Sequence, residues 1–137
     1  MFDSPEYASY IQLCRELQLE HQLSAGDWVA QVTGPFGEPC TPYIFCVALE
    51  DEKDGTAPAW STRTTQYVWL PRLDQWLAML EEAGMTEVDL HGERDRYVAL
   101  DGANLHDSDL PLRQGSGPTR EEASAHLWVI AARERVK

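Results

Sequence analysis

Residues Val68 to Gly84 read V-W-L-P-R-L-D-Q-W-L-A-M-L-E-E-A-G, an extended apolar run that passes directly into an amphipathic helix. Leu73, Trp76, Leu77 and Leu80 fall at i, i+3, i+4 and i+7, one stripe of a 3.6-residue period, with Arg72, Asp74, Gln75, Glu81 and Glu82 opposite. Pro71 suits a first helical turn, where its missing N–H would be unpaired in any case. Gly84 stands where a left-handed helix end favours a residue without Cβ. The spacing predicts a helix from 71 to about 84 as the central spar of the core.

On the N-terminal side of this helix, Gln66–Trp69 reads as a strand. It ends a Thr- and aromatic-rich segment, Ala59 to Leu70, that favours extended structure. Glu50 to Pro58 is a polar, acidic loop. Tyr43–Leu49 is apolar on both faces, which predicts a central strand. Asp27–Thr33 is a second strand with Trp28, Ala30 and Val32 on one face, joined to the first through the turn-rich 34–39 stretch. Ser4-Pro5-Glu6 is a helix start, and Tyr7, Ile11, Cys14 and Leu17 carry that helix to about residue 20, with His21 at its end.

On the C-terminal side, Thr86–His91 alternates strictly. Thr86, Val88 and Leu90 are expected inward, and Glu87, Asp89 and His91 outward. Gly92-Glu93-Arg94 turns the chain and Arg96–Leu100 returns. Asp101–Gly117 shows no element of its own and reads as the longest irregular segment. Thr119-Arg120-Glu121-Glu122 is a capping box opening a helix to about Glu134, with Ala123, Leu127, Ile130 and Ala131 inward. Arg133, Arg135 and Lys137 complement the dipole at its end. The order α-β-β-(β)-α-β-β-α predicts a single α+β domain over residues 1–137. Its architecture is expected to be a two-layer sandwich, a mainly antiparallel sheet of four to five strands with helices on one face.

The chain has 137 residues, enough to bury a core without staples. A hydrophobic content of 43% with 25% charged residues argues against wholesale disorder. No apolar run approaches a transmembrane length, and the acidic start is the reverse of a secretory signal. Cys14, Cys40 and Cys46 are odd in number and form no C-x-x-C pair, so reduced thiols in the cytoplasm are expected. Cys14 and Cys46 lie on apolar stretches and read as core, leaving Cys40 as the exposed thiol.

Charge is the outlier. The net charge is −12, and between Asp74 and Asp109 ten acids face two arginines, a net of −8. Direct binding to nucleic acid or to an anionic membrane through a basic face is therefore disfavoured.

The segment Trp69-Leu70-Pro71-Arg72-Leu73-Asp74-Gln75-Trp76-Leu77, then a hairpin, then Gly117-Pro118-Thr119-Arg120-Glu121-Glu122-Ala123, resembles small proteins of bacterial genomes and prophages. The group of phage ABA-sandwich-like domains is among them. They share a W-L-P-x-L-x-x-L helix start and a T-x-x-E-A final helix. The likeness covers roughly residues 60 to 132 and rests on helix starts and core positions. It implies a phage or prophage setting and transfers no catalytic residue.

No phosphate-binding glycine loop, nucleophile elbow or H-E-x-x-H motif is present, and no cofactor is expected. His91, His106, Asp107 and Asp109 match no zinc or EF-hand spacing, so no metal is expected either. A small enzyme or ligand-binding domain using the 101–117 loop is the competing class, and a homo-oligomeric structural subunit is a third. The favoured expectation is a non-enzymatic protein that blocks a basic, nucleic-acid-processing partner. Its working surface would be Glu87, Asp89, Glu93 and Asp95, with Asp51, Glu52 and Asp54 in the acidic loop and Trp60 as an aromatic contact. Carboxylates spaced along a rigid hairpin would imitate successive phosphates, and small acidic phage inhibitors, anti-CRISPR proteins among them, are similar in size and charge by analogy, with no matching motif.

Overall fold

A computed structural model describes residues 2–33, 38–48, 55–62, 65–102 and 113–136. The chain is α+β, and its contacts divide it into two compact units, Met1–Pro71 and Arg72–Lys137. The division falls inside the stretch from Val68 to Gly84: the apolar run closes one unit and the helix opens the other. In place of one sheet of four to five strands, the described strands form two antiparallel sheets of three, one in each unit. No helix among the described residues is long and apolar enough to cross a membrane.

In the first unit a single 3-10 turn, Pro5–Tyr7, leads into α1, Ala8–Leu17. The Ser4 hydroxyl does not cap it; the Ser4 carbonyl accepts from Tyr7 N–H at 3.0 Å instead. The helix stops at Gln18, which is left-handed at φ 48°, so His21 lies beyond it rather than on its last turn.

Strand β1, Trp28–Thr33, pairs on one side with β2, Pro39–Cys46, and on the other with β3, Tyr67–Leu70. The expected central strand is thus an edge, and β1 is the centre, buried at Val29, Ala30, Val32 and Thr33 on both faces. The apolar run 43–49 combines a ring pair with one core residue: Tyr43 stays 66% exposed and stacks on Phe45 at 5.9 Å, and Val47, just past the strand, is buried. An edge also tolerates Pro39 and Pro42, which lack a ladder donor. Between β2 and β3 lies α2, Ala57–Trp60, where a loop and extended chain were expected. Thr56 starts it, accepting from Ala59 N–H on its hydroxyl at 3.3 Å and from Trp60 N–H on its carbonyl at 3.0 Å. Phe2 fills the core beside Tyr10 and Trp28, and Tyr10 Oη donates to the Pro71 carbonyl at 2.6 Å.

In the second unit α3 spans Leu73–Glu82, with Arg72 as N-cap and Gln75 Oε1 accepting from the Arg72 N–H at 2.8 Å, so Pro71 precedes the cap rather than standing in the first turn. Hydrogen bonding from the Arg72 side chain holds the Asp74 carboxyl below its usual range. A lowered folded value adds stability above the unfolded pKa that is lost as pH falls through the folded one. Trp76 and Leu80 are buried, whereas Leu77 is 38% exposed and leaves the predicted stripe. Gly84 has φ 95°, as a left-handed helix end requires.

Strands β4, Val88–Gly92, and β5, Tyr97–Asp101, form the expected hairpin, and β6, Gln114–Gly117, pairs antiparallel with β5. That third strand replaces the end of the expected irregular segment. Glycine conceals it from pattern reading. Helix α4, Arg120–Val136, lies so close that a Cβ on Gly115 would press into Ala123 O, Leu127 N and His126 Cβ. Leu80, Met85, Ala99, Ala123, Leu127 and Ala131 form the core of this unit. Arg113 Nη2 donates to the buried carboxylate of Asp101 where β6 begins.

The Thr119 hydroxyl accepts from Glu122 N–H at 3.2 Å, so the N-cap expected at α4 is present. Thr119→Ala removes an acceptor that a buried helix start needs, and about 1 kcal/mol should be lost. A denaturant midpoint series that places Thr119→Ala level with the parent would remove the cap from the account of this helix.

Candidate functional site

The β4–β5 hairpin sets the side-chain directions. Val88, Leu90 and Gly92 oppose Asp101, Ala99 and Tyr97, and Ala99 in turn opposes Gly115 under α4. The alternate residues Glu87, Asp89 and His91 therefore point to the other side of the sheet, where all three are exposed. Glu93 and Asp95 are exposed in the turn. All four hairpin acids singled out from the sequence thus share one supersecondary element and reach solvent.

The turn is not uniformly negative. Glu93 N–H donates to the Arg96 carbonyl at 2.7 Å, and Arg96 Nε meets Glu93 Oε2 at 3.1 Å. His91 sits between two acids, with Nδ1 3.9 Å from Asp89 Oδ1 and Nε2 3.8 Å from Glu93 Oε1. Residues 87–96 hold four acids against Arg94 and Arg96, a net of −2. The acids of the hairpin without an ion-pair partner among the described residues are therefore Glu87 and Asp95, while Asp89 faces His91. Exposed pairs such as Glu93–Arg96 contribute little energy in water, and a partner's cation displaces them at small cost.

Trp60, expected as an exposed contact, is half-buried on α2 with its ring edge-on to Tyr67 at 6.2 Å. Tyr67 meets Phe45 at 6.2 Å and Phe45 stacks on Tyr43, so four aromatic rings form a continuous chain across the first sheet. No local periodicity reveals it, because the rings come from three elements. Asp51, Glu52 and Asp54 lie outside the described residues, as do His106, Asp107 and Asp109.

Cys14 is buried as expected, but Cys46 is exposed, because it ends an edge strand rather than a central one. Cys40 falls within β2, not in a turn. Among the described residues no group of three or more His, Cys, Asp or Glu side chains could hold a metal ion.

One arrangement had no signal in the sequence. Asp27, buried at the head of β1, accepts from Ser24 N–H at 2.9 Å and meets His21 Nε2 at 3.0 Å. The His21 ring lies flat on Trp69, 3.8 Å between centroids and 11° between planes. These contacts anchor the irregular segment between α1 and β1 to the sheet. The chain matches no protein-family model, no curated protein and no solved structure.

Proposed function

We propose that this chain is a non-enzymatic binding protein of phage or prophage origin, acting in the bacterial cytoplasm. It captures a basic, nucleic-acid-processing protein on the acidic β4–β5 hairpin and blocks it. The observation that carries this reading is the exposure of Glu87, Asp89 and Asp95 on one paired hairpin, with Glu87 and Asp95 lacking an ion-pair partner among the described residues. Strand geometry holds Glu87 and Asp89 about 7 Å apart on one face, a fixed row of charge for a Lys/Arg groove. The net charge of −12 adds long-range attraction to such a groove and repulsion from nucleic acid itself. The phage setting draws on the W-L-P and T-x-x-E-A segments.

Reversing Glu87, Asp89, Glu93 and Asp95 together to lysine should weaken the captured partner's binding about 100-fold while the far-ultraviolet spectrum is unchanged. The parent complex should dissociate in about 1 M salt, where the Debye length is about 3 Å. Affinity unchanged by the quadruple reversal would end the acidic-face reading. A second reading, self-association through aromatic side chains, draws on the exposed Tyr43 at the end of its ring chain. Concentration-dependent sizing of Tyr43→Ser against the parent separates the two.

A further inference from the structure

The first unit carries an apolar groove of about 680 Å³ between α1 and β2. Phe2, Ile11 and Val32, all buried, form its floor, and Ala8 and Ile44 stand on its walls. Concavities on the order of 300–1,000 Å³ lined mainly by apolar groups suit small organic ligands. Two charged residues line the groove and differ in place: Asp3 at the start of the chain and Arg15 in the last turn of α1. From Pro5 to Arg15 the 3-10 turn and α1 together rise about 15 Å, a distance that a medium-length acyl chain spans.

Arg15 also lines an adjoining cavity of about 230 Å³. Its Nη2 donates to Gln66 Oε1 at 3.2 Å, so a neutral amide orients the guanidinium. No carboxylate of the described residues lies within ion-pair distance of it, although the chain has 23 acids against 11 basic residues. A guanidinium held in this way keeps its remaining donors for a planar, bidentate anion.

We propose that this groove binds a medium-chain carboxylate. The carboxylate pairs with Arg15, and the alkyl tail lies over Ile11 and Val32 toward Phe2. Arg15 sets the direction, since the cation that pairs with the carboxylate lines the groove in the last turn of α1. The site is independent of the acidic hairpin.

The test uses the full chain with octanoate and decanoate below their micelle-forming concentrations and decanol below its solubility limit. Binding is followed by calorimetry and by amide chemical shifts. Decanoate should bind about tenfold more tightly than decanol, and more tightly than octanoate by about fourfold for each added methylene. Arg15→Gln should bring decanoate down to the level of decanol and leave decanol unchanged. Ala8→Phe, which fills the groove from an exposed helix position, should weaken both. The shifts should centre on Ile11, Val32 and Ile44. A circular dichroism spectrum matching the parent qualifies each variant. Equal decanoate affinity in Arg15→Gln and the parent, shifts centred elsewhere, or no binding at millimolar decanoate would each overturn the proposal.

Discussion

Gly115→Ala is expected to cost the second unit about 3 kcal/mol or more, a large part of what holds a small domain folded. The added Cβ would press on the Ala123 carbonyl oxygen and the Leu127 nitrogen, and would come 2.9 Å from His126 Cβ. The first two are main-chain atoms of α4 that no rotamer change can move. The helix must therefore shift away from β6 as a body, which opens the contact of Ala123 and Leu127 with Ala99. Gly117→Ala is the internal control. The three atoms nearest its Cβ would all belong to the Glu122 side chain, at 2.7 to 2.9 Å, and that chain can give way in part. Urea titrations should rank Gly115→Ala well below Gly117→Ala. Equal stability of the two would show that α4 does not lie this close to the strand.

Trp76→Ala should cost about 3 to 5 kcal/mol, the range for removing a fully buried aromatic ring. Trp76 is wholly buried on α3 and its ring lies 5.9 Å from that of Trp128 on α4 at 59°. Removal leaves a cavity against a large, half-buried neighbour. Near-ultraviolet circular dichroism should lose the signal of the coupled indoles along with the fall in denaturant midpoint. Leu77→Ala, one residue on but 38% exposed, should change stability by less than about 1 kcal/mol. A midpoint shift as large as that of Trp76→Ala would mean that this face of α3 is covered.

What was legible in the sequence was what neighbours within a few residues determine. The body of α3, its glycine stop, the β4–β5 hairpin and the Thr119 cap all arise from groups two to four positions apart, whereas the start of α3 falls after Pro71 and not on it. The exposure of Glu87 and Asp89 follows from the same short period. Long-range pairing was not legible. The centre of the first sheet depends on β3 meeting β1 across more than thirty intervening residues, and no run of apolar side chains reports that meeting. Strand β6 reads Q-G-S-G and has no apolar alternation, because the room for α4 comes from absent side chains. Two acids at the start of α4, Glu121 and Glu122, are buried although composition places acids outside. Arg15 and Gln66 come together from positions 51 residues apart, so the groove had no local signature.

The Gly115 contact also governs how the second unit accommodates change. At Gly117 and Ala99 α4 meets the sheet through its side chains, whose lengths can be altered by substitution. At Gly115 main chain bears directly on main chain, and any side chain added there can only widen that separation. The helix is thus pinned at one point near its N-terminus and cushioned along the remainder. Substitutions at Leu127 or Ala131 would change its inclination by pivoting it about the pin, with the height above β6 preserved.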